Sequence, residues 1–364
     1  MISLRKFSSG NFDWPLFVSV ILLFCIGLMA IYSVDLSRGG ELIFFKKQMV
    51  AFGIGMGLFL FAATRQHTFF YTFSKSAYLL SFLLLVAVLI FGHQVRGTTG
   101  WFVFSGFSFQ PVEFAKVGLI LFLGYITASF GRRFEKPIYF FGTGLIALVL
   151  IGLVMLQPDL GSAVLLLSIW FGIMLIVGTR KLFLVLFVLS GILISLFSWN
   201  FLFEDYQKDR VLTFISPERD PLGAGYNVTQ ALIAIGSGRF LGRGLGFGSQ
   251  SQLRFLPEAQ TDFIFSVIGE ELGFIGIGAL LVLFSIVFWR LILIMNKAEN
   301  DYAMVVVFGV LVLFFSQFLI NTGANLGLLP VTGITLPFIS YGGSSLMMNF
   351  LLLGIVQSMI KKNY

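Results

Sequence analysis

The feature that most constrains this chain is the recurrence of apolar runs long enough to cross a lipid bilayer. A spanning helix takes about 18 or more apolar residues. Runs of that kind begin near Trp14, Gln48, Ser74, Val112, Pro137, Leu160, Leu182, Phe263, Tyr302 and Ser344. In hydrocarbon every backbone N–H and C=O must bond within the protein, so spanning segments are helices or closed barrels. Barrel strands are short and alternate in polarity, and these runs do neither. The expected fold is an all-α polytopic membrane protein with ten transmembrane helices, at about 14–34, 48–64, 74–92, 112–130, 137–156, 160–178, 182–203, 263–295, 302–320 and 344–360. Charged residues make up only 11% of the chain, against about 25% in soluble domains. The net charge of +7 does not point to nucleic acid, because the basic residues cluster at span ends. The first run is too long for a cleavable signal and reads as a retained span. Cys25 is the single cysteine, so no internal disulfide is expected.

Orientation follows from lysine and arginine. Arg65, Lys75, Arg132, Arg133, Arg180, Lys181, Arg290 and Lys297 fall on the side shared by the two termini, whereas the short loops opposite carry only Arg38, Lys46, Lys47 and Arg96. That bias places both termini in the cytoplasm. It also places the one long polar segment, 204–262, outside, as a large extracytoplasmic loop between helices 7 and 8. The chain is expected to form a single domain, 1–364, with the active site on this loop. No internal repeat is evident, which weakens an inverted-repeat transporter reading.

Several residues could carry chemistry. Asp262, in LPEAQTDF, stands where the loop meets the eighth run. It reads as a general base or as a helix N-cap. Glu270 lies eight residues on, near the same helix face, with Glu271 nearly opposite. Glu113 and Lys116, three apart, share a face of the fourth run, as a structural ion pair or as the wall of a polar cavity. Asp159, in QPDLG, is a turn residue or a second outer acid able to hold a cation or substrate. The run GSGRFLGRGLGFGSQ matches no nucleotide motif and follows no strand. It could offer backbone amides to a diphosphate with Arg243 beside it. The preceding YNVTQALIAI reads as a short helix, re-entrant or interfacial. His67 and His93 lack metal-ligand spacing.

Taken together, these stretches resemble the SEDS family (shape, elongation, division and sporulation; RodA, FtsW and SpoVE). The matching segments are FSFQPVEFAK (107–116), QPDLGSA (157–163), RVLTFISPERDPLGAGYNVTQALIAIGSGRFLGRGLG (210–246), FLPEAQTDFIFSVIGEELG (255–273) and NLGLLPVTGITLPFISYGGSSL (325–346). The resemblance implies a peptidoglycan glycosyltransferase of the bacterial cytoplasmic membrane that polymerises lipid II, a disaccharide-pentapeptide on undecaprenyl diphosphate. It implies Asp262 as the essential acid. Lys116, Glu113, Arg96, Arg210, Arg243 and Asp159 would contact substrate, and a divalent cation (Mg or Mn) is compatible with the chemistry. It also implies a class B penicillin-binding protein as partner. Two departures stand out. Gln260 occupies a position that is often His, and Arg96 lies five residues before Trp101 rather than beside it. The segment LLPVTGITLPFISYGG leans toward RodA, for cell elongation, with an FtsW-like role in cell division as the alternative. A lipid-linked precursor flippase and an inactive scaffold are the competing classes. The partner's span is expected to dock on runs eight and nine, with Gly309 on the docking face.

Overall fold

The structure is a computed structural model that describes residues 12–95, 97–104, 107–131, 134–201, 208 and 224–360. Helices stand at each of the predicted runs: α1 Trp14–Ser37, α2 Ile43–Thr64, α3 His67–Phe91, α4 Pro111–Ser129, α5 Pro137–Met155, α6 Leu160–Val177 and α7 Lys181–Phe201. After the long loop come α8 Ala224–Ser237, α9 Ser249–Gln252, α10 Ile264–Asn296, α11 Asp301–Asn325 and α12 Gly343–Ser358. Among the described residues, eight helices are long and apolar enough to cross a membrane; α7 and α12 hold shorter apolar stretches.

Local chemistry sets the helix ends. Asp13 caps α1 by accepting from the Leu16 amide, Asn300 caps α11 by accepting from Ala303, and prolines occupy the first turns of α4 and α5. Gly178 closes α6 with φ +84°, a conformation glycine adopts without a Cβ penalty. The polar 93–109 segment, read from sequence only as a loop, is a three-stranded antiparallel sheet: β1 His93–Val95, β2 Thr98–Phe104 and β3 Phe107–Phe109. Pairing within the sheet satisfies backbone that has no helix to join.

Between apolar helices in lipid the hydrophobic drive is small, and close packing does the work. α2 and α12 form the most extensive helix pair. A Cβ added at Gly354 would come within 2.5 Å of the Phe59 carbonyl oxygen. α4, α6 and α11 form the interior of the bundle. Gly309 lies in that interior, its Cα side facing Ile120 and Ile173, and Val305, Val306, Val307 and Val310 around it are buried. The expectation that Gly309 faces a partner is therefore corrected. An apolar span shows almost no hydrophobic asymmetry, so its buried face cannot be read from polarity.

The two ends of the bundle are distinguished by polar contacts. At one end Arg290 Nη2 pairs with Asp13 at 2.6 Å, and the Gln357 side chain bonds both the Asp13 amide and its carbonyl. The start of α1 and the ends of α10 and α12 therefore gather at one end. At the other end lie the close of α1, the turn before α10 and the entry to α12.

Candidate active site

The turn before α10 is built from both halves of the chain. Helix α10 begins at Ile264, and its N-cap residue, Phe263, makes no side-chain cap. Asp262 is therefore not the N-cap. The first turn of a helix is short of intrahelical acceptors; here the Ser266 amide donates to Phe263 O at 3.0 Å and is shared with Asn325 Oδ1 on another helix at 3.2 Å, which also accepts from Ser266 Oγ at 2.6 Å. Asp262 sits half-buried in the turn, between buried Thr261 and Phe263. Its backbone oxygen accepts from Asn321 Nδ2 at 3.0 Å and Asn325 Nδ2 at 2.8 Å. The two preceding carbonyls are also held. Ser340 Oγ donates to Thr261 O at 2.7 Å, and the Tyr341 amide donates to Gln260 O at 2.8 Å. Ser340 is held in turn by Gln48, whose side chain donates to Ser340 O and accepts from the Gly342 amide.

Gln260, where the resemblance leads one to expect His, has its side chain engaged on both sides. Its Oε1 accepts from Arg38 Nη2 at 3.0 Å, and its Nε2 donates to Glu258. Arg38 also lies over the Phe44 ring. The sequence marks Arg38 only as a loop charge, and nothing local shows that it reaches a residue two before Asp262.

Glu270 and Glu271 do not share a face with Asp262, because Asp262 precedes the helix. Both are fully buried and hold the glycine-rich loop. Glu270 accepts from the Gln250 and Ser251 amides at the start of α9, and Glu271 accepts from Ser33 Oγ and the Gly246 amide. At Gly273, with φ 65° and ψ −160°, α10 breaks. The break strands carbonyls before it and amides after it, and the loop satisfies them. Arg243 N and Gly244 N donate to Glu270 O and Glu271 O, each at 3.0 Å, while Phe274 N and Ile275 N donate to Arg239 O and Phe240 O. The amides of Arg243, Gly244 and Gly246 are thus spent inside the protein and are not offered to a diphosphate. The glycines permit close approach, since a Cβ at Gly238 or Gly242 would overlap the Gly269 or Glu271 carbonyl. The Arg243 side chain is exposed, with Nε 3.4 Å from Ser237 O.

The other acids lie at the same end. Ser344, at the start of α12, donates to Ser108 O and accepts from the Gln110 amide, joining the α12 entry to the start of α4. Lys116 Nζ and Glu113 Oε2 pair at 2.7 Å, both buried, on the first turns of α4. Asp159 caps α6, accepting from the Ser162 amide and hydroxyl and, at 3.3 Å, from Gln110 Nε2. The turn reading of Asp159 is realised, and its carboxylate also ties α6 to the start of α4. Arg96 and Arg210 lie outside the described residues. Among the described residues no three His, Cys, Asp or Glu side chains gather in a way that could hold a metal ion.

Residues 13–364 match the family described as cell cycle protein, FTSW_RODA_SPOVE. The "Probable peptidoglycan glycosyltransferase FtsW" of Thiomicrospira cyclica is 37% identical over 360 residues, covering 94% of this chain and 90% of the relative. Peptidoglycan glycosyltransferase MrdB of Escherichia coli K12 is 42% identical over 286 residues, covering 77% and 76%. A chain of a solved peptidoglycan synthase complex, described as coordinating polymerization and crosslinking, superposes with a TM-score of 0.81 at 31% identity, covering 95% of this chain and 96% of that one. With its whole helical body matched in sequence and in fold, the chain belongs to the FtsW/RodA/SpoVE family.

Proposed function

We propose that this chain, a peptidoglycan glycosyltransferase of that family, polymerises lipid II at the outer face of the bacterial cytoplasmic membrane, with Asp262 as general base. The observation that carries the reading is the Asp262 turn. It holds a half-buried carboxylate at one end of the bundle, on backbone held by buried side chains. In the reaction, Asp262 takes the proton of the acceptor 4-hydroxyl as that oxygen attacks C1 of the donor sugar. The C1–O bond to the diphosphate breaks, and undecaprenyl diphosphate leaves with the electron pair. An α-linked donor and a β-linked product make this a single inverting step. General-base catalysis of this kind contributes about 10²–10⁴ in rate.

Charge grows on the departing diphosphate and needs preorganised cations. Arg243, exposed beside the loop, and Arg96 and Arg210 are the candidates. Lys116 Nζ lies 2.7 Å from Glu113 Oε2, which favours a role in ordering the start of α4 and, through Gln110, in placing Asp159. Among the described residues no protein-held cation site is assembled. Both termini lie in the cytoplasm in this reading, and 1–364 acts as one domain. The LLPVTGITLPFISYGG segment supports an elongation role like that of RodA over a division role. A class B penicillin-binding protein would supply cross-linking, for which this chain has no nucleophile motif; the structural likeness to a synthase complex supports that pairing.

Purified chain in liposomes, given lipid II alone, tests the assignment. Glycan polymer is expected. Lipid II that crosses the bilayer without polymerising would make the chain a flippase, and neither outcome would make it a scaffold.

A further inference from the structure

We infer that Asn325 and Asn321 are positioning residues for Asp262, fixing the direction in which its carboxylate leaves the turn. The inference rests on the reading of Asp262 as general base. Both asparagines lie on α11, four residues apart and so on one helix face, and both are almost fully buried, at 0% and 2% exposure. Their amide groups converge on one atom, the Asp262 carbonyl oxygen.

The orientation of the Asn325 amide is dictated by backbone groups that have only one role each. The Ser266 N–H can only donate, so it faces Oδ1. The Asp262 and Asn321 carbonyls can only accept, so they face Nδ2. One side chain therefore fixes both the first turn of α10 and the residue two positions before that helix. Asn321 donates to Asp262 O and to Ile334 O, linking the turn to the 331–340 stretch that also supplies Ser340.

A single buried hydrogen bond would suffice to hold a loop against a bundle. Here three consecutive carbonyls, at 260, 261 and 262, are each gripped by donors from the last third of the chain. The residue given two side-chain donors is the one whose carboxylate must be aimed. Fixing its peptide plane fixes the point from which the Asp262 side chain leaves the backbone. Removing one donor leaves the carbonyl held from one side only and loosens that plane, without changing the carboxylate itself.

The test uses the full chain, purified and reconstituted in liposomes with lipid II, and measures turnover, half-saturation and melting temperature for Asn325→Ala and Asn321→Ala. A misplacement of about 1 Å can cost as much as 10² in rate, so turnover is expected to fall about 10- to 100-fold for Asn325→Ala, with half-saturation within about 2-fold. Asn321→Ala should fall less, since Asn325 still grips the same oxygen. The deciding readout is a cycle with Asp262→Asn. If the asparagines act through the carboxylate, adding Asn325→Ala to Asp262→Asn lowers the residual turnover by less than about 2-fold, because coupled sites do not add. Should Asn325→Ala not be recovered folded, Asn321→Ala runs the same cycle with the Ser266 contacts left in place. Full turnover of the folded single variants, or an equal fold-loss on both backgrounds, overturns the inference. Full turnover of Asp262→Asn by itself overturns the general-base reading, and it is told apart because no asparagine has been changed.

Discussion

Replacing Gly273 with alanine tests whether the glycine-rich loop is organised by the break in α10. Gly273 has φ 65° and ψ −160°, a region of backbone space open almost solely to glycine. Forcing another residue there costs about 1–3 kcal/mol. The added Cβ would also overlap the Gly242 amide. Relieving that overlap draws the loop away from α10, which gives up the four backbone bonds between 239–244 and 270–275. Each such bond contributes about 0.5–1.5 kcal/mol net. Strain and lost bonds together put the loss at roughly 3 kcal/mol or more. At about 2 °C per kcal/mol for a large chain, melting should fall by about 6 °C or more. The assay is thermal unfolding of the purified protein in detergent, with proteolysis of 238–252 followed alongside. Gly278→Ala, in the same helix but with no atom within 4 Å of the added Cβ, is the control. It should hold or gain stability, since alanine favours helix over glycine by about 1 kcal/mol. If Gly273→Ala melts with the wild type and its loop stays protected, the kink does not organise the loop and the reasoning fails.

Two further outcomes follow from the packing. Glu113→Ala and Lys116→Ala each strand a buried partner charge, at about 3–5 kcal/mol, so the double variant should lose much less than the sum of the two; additive losses in melting temperature and turnover would show independent roles. Gly309→Leu should overpack the contact with Ile120 and Ile173 and destabilise by about 1–3 kcal/mol, with co-purification of a partner following only the folded fraction; a stable variant that loses its partner would restore Gly309 to a docking surface.

The sequence announces the apolar runs and the hairpin at 157–161, because length and turn residues are local signals. Asp262 is also visible, as the carboxylate where a polar loop meets a span. What holds it is not, since Asn321, Asn325, Ser340 and Tyr341 come from 59 or more residues away. The trace in the sequence is the Asn-x-x-x-Asn spacing near the end of α11, where two buried amides call for a partner. Helical periodicity cannot place Glu270 and Glu271 relative to Asp262, because Asp262 lies before the helix. The glycines of 238–248 suggested amides presented to a ligand; only the break at Gly273 reveals that helix termini claim those amides. The sheet at 93–109 has strands of three to seven residues with glycines between them, a pattern that local sequence does not distinguish from a loop.

Lipid II polymerisation by Asp262→Asn tests the central claim most directly. The substitution keeps the size of the side chain, and the carbonyl held by Asn321 and Asn325 is unchanged. With wild-type and variant protein reconstituted at equal amounts, and melting temperatures matched, the account predicts that glycan polymer on a gel falls by at least about 10². Polymer formed by the variant at close to the wild-type rate would contradict it.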